Sequence, residues 1–203
     1  EPDLIIVGGR SAAKYGWLSK IAPTIDLTGD AQDFIGSVEG NMETPGRIFG
    51  KELLAQQKAA QLDAQVHQAR RVTEGRAERA LIVLHNNGAF SAFGQQSRYG
   101  FVFSALGVQP ASAAVESSLH GQPVSSEFIQ QADPDILYVV DRTAVMERRP
   151  VMNAQQLANP LLRQTKAWKS GRVVFADADA WYITGASPAS LQRLIDDVVR
   201  GYR

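Results

Sequence analysis

Two arginines of this chain stand where an apolar run gives way to polar residues. The segment Pro2-Asp3-Leu4-Ile5-Ile6-Val7-Gly8-Gly9-Arg10 is echoed by Pro134-Asp135-Ile136-Leu137-Tyr138-Val139-Val140-Asp141-Arg142. Each copy is Pro-Asp, an apolar run, and an Arg eight positions after the Pro. Such runs read as strands buried on both faces of a parallel sheet. Each Arg then sits just past a C-terminal sheet edge, where open α/β sheets hold ligands. A third arginine, Arg98 of Ser97-Arg98-Tyr99-Gly100, stands at the start of a predicted helix. A guanidinium keeps its charge and donates forked hydrogen bonds, so three of them suit an anion. Taken singly, an arginine is more often a solvated or salt-bridging residue. The repeat shifts that balance for Arg10 and Arg142 and leaves Arg98 the weaker case.

Two further segments could add donors. Tyr182, in Trp181-Tyr182 after the acidic run Asp177–Asp179, carries a phenol, whose anion is a hard oxygen ligand suited to Fe(III), and imidazole also suits iron. The aromatics Trp181 and Tyr182 could equally close a core or line a cleft. His120, in the loop Leu119-His120-Gly121, could be a metal ligand or a hydrogen-bonded loop residue. His67 reads as a solvated helix residue, and His85 as a strand end belonging to core or rim.

Other chemistries fail on the residues present. Gly46-Arg47-Ile48-Phe49-Gly50-Lys51-Glu52 is one residue short of a phosphate loop and has Glu where Ser or Thr is needed. Gly185-Ala186-Ser187-Pro188-Ala189 lacks the last Gly of a nucleophile elbow. There is no Cys, so thiolate metal sites, disulfides and a cysteine nucleophile are excluded. The 21 basic and 21 acidic residues cancel, which argues against the basic field that nucleic acid demands. No apolar stretch reaches the ~20 residues that span a bilayer.

These residues need elements to position them. The patterning predicts strands at 3–8, 24–27, 80–84, 136–140 and 172–176, with a further short segment at 93–96. Helices are expected at 12–20 behind Ser11, at 31–49 with Pro45 kinking or interrupting it, at 98–106 behind Ser97, at 124–131, at 153–169 and from Pro188 to Gly201. Residues 51–74 contain no Pro or Gly and are rich in helix formers, a helix about 36 Å long. Asn86-Asn87-Gly88 is a strong turn signal. The alternation predicts an α/β fold of two mainly parallel-sheet lobes joined by one long helix: residues 1–50 for the first lobe, 51–74 for the inter-lobe helix, and 75–203 for the second lobe.

Ala80-Leu81-Ile82-Val83-Leu84, Ser91-Ala92-Phe93-Gly94, Ser97-Arg98-Tyr99-Gly100-Phe101, His120-Gly121, Val139-Val140-Asp141-Arg142 and Trp181-Tyr182, together with the opening Pro2–Arg10 and Ile21-Ala22-Pro23-Thr24, resemble the catecholate-siderophore-binding proteins of bacterial ABC importers. The strand motifs are common to many periplasmic binding proteins, whereas the ordered Arg, Arg, Arg, His, Tyr set is more specific. The resemblance implies a periplasmic carrier, not an enzyme, with no intrinsic cofactor. It would carry Fe(III) as a ferric catecholate siderophore complex and deliver it to an inner-membrane ABC permease. Arg10 would come from the first lobe and Arg98 and Arg142 from the second, with Tyr99 and Trp181 also at the ligand. His120 and Tyr182 would complete the iron's coordination where the siderophore supplies only four donors. The family has further strands and helices before the residue matching Pro2, and a secretion signal, so the resemblance implies an incomplete first lobe. The competing expectations are another cargo (haem, cobalamin or a hydroxamate siderophore) and an α/β enzyme using His120 as acid/base on an anionic substrate.

Overall fold

Two sheets of unequal size organise the chain, and one helix runs between them. The computed structural model describes residues 2–115, 118, 121–157 and 159–203. The first unit opens with β1 (Ile5–Val7), a 3₁₀ helix (Gly9–Lys14) and the short α1 (Tyr15–Leu18), and returns in β2 (Thr24–Asp26) parallel to β1. Ser11 does not cap a helix over 12–20. Its hydroxyl donates to the Gly8 carbonyl and accepts from the Gly8 N–H, which tightens the chain into 3₁₀ geometry from Gly9 onward. β1 is not covered on both faces either: Ile6 is 53% exposed, because no layer of described residues packs on that side.

α2 (Phe34–Ile48) begins at Asp33, whose carboxylate accepts from the Gly36 N–H. It runs unbroken through Pro45, where an interruption was expected. Pro45 lies in the last turn, so little helix follows the missing N–H. α3 (Glu52–Thr73) covers almost the whole of the expected 51–74 helix. Its buried residues Ala55, Leu62, Val66, Ala69 and Thr73 recur every three, four or seven positions, one stripe of an amphipathic helix. Gly46 lets α2 approach α3 closely, since a Cβ there would lie 2.8 Å from that of Ala55. At the far end the Thr73 hydroxyl donates to the Leu106 carbonyl, tying α3 to the second unit.

The second unit is built on β3 (Arg79–Asn86), β4 (Ala89–Phe93), β5 (Gln109–Pro110), β6 (Gln122–Val124), β7 (Ile136–Asp141) and β8 (Val173–Phe175), in the order β6-β4-β3-β7-β8 with β5 also against β3. The β3–β7, β7–β8 and β3–β5 pairs are parallel, and β4 runs antiparallel to both β3 and the edge strand β6. The β3–β4 hairpin turns at Asn87 and Gly88, with φ of 48° and 85°, the left-handed values this tight turn requires. Every residue of β7 is buried. Alternate residues divide between two cores: Ile82, Leu84, Ile136, Tyr138 and Val140 on one face, and Leu81, Val83, Leu137 and Val139 on the other.

Helices cover both faces: α4 (Phe101–Ser104), α5 (Ser126–Ala132), α6 (Arg142–Glu147), α7 (Lys166–Lys169), α8 (Ala178–Tyr182) and α9 (Pro188–Arg200). α9 starts with Ser187 as cap and Pro188 in its first turn, and buries Leu191, Leu194, Ile195 and Val198. The helix expected over 98–106 shrinks to α4, because the Ser97 hydroxyl closes a turn by donating to the Gly94 carbonyl and accepting from the Tyr99 N–H. The helix expected over 153–169 is mostly turns. Asn153 accepts from the N–H groups of Gln155 and Gln156, and Asn159 from those of Leu161 and Leu162, which offers the backbone an alternative to helix. The two units meet where Phe34 stacks on Phe101 at 4.8 Å and at Gly29, where an added Cβ would lie 3.4 Å from that of Ala186.

Candidate functional site

The site grows from the C-terminal end of β7. Asp141, its last residue, is fully buried and caps α6 by accepting from the Ala144 N–H at 3.2 Å. It also accepts from the Met152 N–H at 3.0 Å, faces Arg149 at 3.2 Å, and lies 3.5 Å from His85 Nδ1. Burial alone would push its pKa up, but the two backbone hydrogen bonds and the Arg149 charge hold it below the usual value. A rigid, ionised cap therefore sets Arg142 at the first position of α6.

The β3–β7 register continues past the strands as side-chain contacts. His85 pairs with Asp141 in the ladder. One step on, Arg142 Nη1 donates to Asn86 Oδ1 at 2.8 Å, and after that the Asn87 N–H donates to the Thr143 hydroxyl at 2.8 Å. Arg142 Nε meanwhile donates to the Tyr182 phenol oxygen at 2.7 Å, and the guanidinium lies 5.4 Å from that ring's centroid.

Arg98 reaches the same tyrosine. Its Nη2 donates to the carbonyls of Trp181 and Tyr182 at 3.4 and 3.0 Å, where α8 leaves acceptors unsatisfied at its C-terminal end. Its guanidinium lies 5.6 Å from the Tyr182 ring centroid and 5.2 Å from that of Tyr99.

Tyr99 and Trp181, expected at the ligand, are buried and pack beside the polar cluster. Trp181 is fully buried and donates its indole N–H to Asp197 at 2.9 Å. Tyr99 is 2% exposed, donates its hydroxyl to the Trp181 carbonyl at 2.9 Å, and has its pKa pushed up to about 12 by burial. Its ring packs edge-on to Phe93 at 4.7 Å. Large apolar rings next to a polar cluster hold it in place and keep water from beneath it.

Arg98, Arg142 and Tyr182 are thus brought together, all half-buried. Among the described residues, neither arginine has a carboxylate within salt-bridge distance, whereas Arg70, Arg76, Arg79, Arg149, Arg172, Arg193 and Arg200 all do. Both are held by neutral acceptors that leave their charge uncompensated. Arg10 lies on the first unit, its side chain exposed and without an ion pair to another described residue. Its neighbour Gly9 donates to the Thr28 hydroxyl at 3.1 Å, and at Gly29, next along, an added Cβ would lie 3.4 Å from that of Ala186 in the second unit. His120 lies outside the described residues. Asn86 was missed by sequence reasoning, because Asn-Asn-Gly signals a turn and says nothing about what the first Asn holds.

Among the described residues, no three His, Asp or Glu side chains cluster to hold a metal, which leaves the Tyr182 oxygen as a single hard donor. No described helix is long and apolar enough to cross a membrane. Two guanidiniums without a carboxylate partner among the described residues therefore lie against one phenol in the second unit, an arrangement with donors to offer an anion.

The chain belongs to the periplasmic binding protein family, whose profile matches residues 1–180. It is 55% identical over its whole length to the ferric-anguibactin-binding protein FatB of Vibrio anguillarum, and spans 64% of that protein. The structure of the siderophore-binding protein BauB, bound to a complex of two acinetobactin molecules and ferric iron, is 60% identical, with a TM-score of 0.93 over 100% of this chain and 72% of that one. The periplasmic catecholate-siderophore-binding protein VctP of Vibrio cholerae is 31% identical, with a TM-score of 0.90 over 97% of this chain and 71% of its own.

Proposed function

We propose that this chain is the ligand-holding part of a carrier that captures a negatively charged ferric siderophore of catecholate type in the periplasm and delivers it to an inner-membrane ABC permease, without chemical turnover. The observation that carries this reading is the pair Arg98 and Arg142 around Tyr182, charged and without carboxylate partners among the described residues. Catecholate oxygens on Fe(III) keep negative charge, and a guanidinium fork matches them. A neutral hydroxamate complex would gain less from two such cations. FatB and BauB, whose names and ligands are ferric siderophores, support the same class of cargo.

In this reading Arg10 brings a third guanidinium from the first unit as the units close on the ligand. Tyr182, with His120 as its proposed companion, fills iron positions that a four-donor siderophore leaves open. Arg142 Nε already donates to the Tyr182 oxygen, which fixes where that oxygen stands.

The test is titration of the purified protein with a ferric bis-catecholate, read by tryptophan fluorescence. Trp181 sits directly under the cluster, so saturable quenching at micromolar ligand is expected, lost on Arg142→Ala. Absence of quenching at those concentrations overturns the proposal.

A further inference from the structure

We infer that Asn86 is a working member of this binding site, one that both aims Arg142 and contributes donors of its own. The inference rests on the anionic-ligand reading above. Arg142 carries only donors, so the oxygen of the Asn86 amide must face it, as the 2.8 Å contact shows. The two N–H groups of that amide then turn away from Arg142, and no described residue accepts from them. A half-buried amide whose donors meet no acceptor among the described residues, beside such a guanidinium, offers hydrogen bonds to the same anion.

The residue type matters. A carboxylate at position 86 would hold Arg142 just as firmly but cancel its charge. An amide carbonyl holds the guanidinium by a neutral acceptor and leaves the charge for the ligand. The position matters too: Asn86 continues the β3–β7 ladder beyond its last backbone pair, so its Cα is fixed by the sheet and not by the turn that follows. With Asn86 on one side and Tyr182 on the other, the Arg142 plane is held at two points.

Wild-type, Asn86→Ala, Asn86→Asp and Arg142→Ala proteins are titrated with a ferric bis-catecholate at several KCl concentrations, and their melting temperatures recorded. Asn86→Asp is expected to melt at or above the wild-type temperature yet bind about tenfold more weakly or worse, with a shallower salt dependence because one cation is neutralised. Asn86→Ala is expected to bind several-fold more weakly with the wild-type salt dependence. A purely structural asparagine would not alter the salt slope. If both Asn86 variants bind like wild type while Arg142→Ala loses affinity, the inference falls and the anionic-ligand reading stands. If Arg142→Ala also binds like wild type, both fall together.

Discussion

Arg142 Nε donates to the phenol oxygen of Tyr182 at 2.7 Å across 40 residues of sequence, joining the start of α6 to the end of α8. A phenol oxygen is a hard donor of the kind that suits Fe(III), and the guanidinium fixes where this one stands.

Tyr182→Phe removes that oxygen and keeps the ring beside the two guanidiniums. Affinity for a four-donor ferric bis-catecholate should fall about tenfold or more, with loss of any phenolate-to-iron absorption band, while a six-donor ferric tris-catecholate should lose much less. Competitive titration of the two complexes measures the difference, and equal losses would remove the metal-ligand role.

Arg98→Lys keeps the charge and loses the fork. A lysine cannot hold the Trp181 and Tyr182 carbonyls in the same plane while presenting donors to a ligand. Binding should weaken about tenfold with melting temperature little changed, as calorimetric titration and thermal unfolding can show together.

Glu78 ties β3 to the neighbouring edge by accepting from Arg76 and from Arg172. Its hydrogen bond with Arg76, then that with Arg172, outweigh its burial and bring its pKa from 4.5 down to about 2. A lowered carboxylate pKa contributes stability that is present above the unfolded value and lost as pH falls through the folded one. Acid unfolding between pH 4.5 and 2 should therefore be blunted in Glu78→Gln, which should be less stable at pH 7 by about 1 kcal/mol, a solvent-screened pair. Urea titrations across this pH range would test it.

Gly46→Val should loosen the two helices that carry the first unit. A Cβ there would meet that of Ala55 at 2.8 Å, so α2 must move off α3. The expected cost is about 1–3 kcal/mol by chemical denaturation. Ligand affinity should change far less, because Arg98, Arg142 and Tyr182 all belong to the second unit.

Much of the scaffold was legible because its signals are local. Ala80–Leu84 and Ile136–Val140 are too apolar for anything but buried strands, and each alternates between two cores as a strand must. Asn87-Gly88 supplies the positive φ pair of a hairpin, and residues 51–74 lack any helix breaker. The stretch 153–169 misled because helix propensity there loses to Asn153 and Asn159, whose side chains bond the backbone next to them. Tyr99 and Trp181 misled differently: an aromatic beside a candidate ligand residue looks the same in sequence whether it lines the opening or supports it.

By itself the sequence determined which segments become strands and helices, and which side chains carry charge or a hard oxygen, since both follow from residue type and short-range spacing. Only the tertiary structure decided that two of the arginines would be held by neutral groups: Arg98 by carbonyls 83 and 84 positions away, and Arg142 by an amide 56 positions away. Acceptors so distant along the chain leave no local pattern, and whether a guanidinium keeps its charge for a ligand depends on which ones it meets.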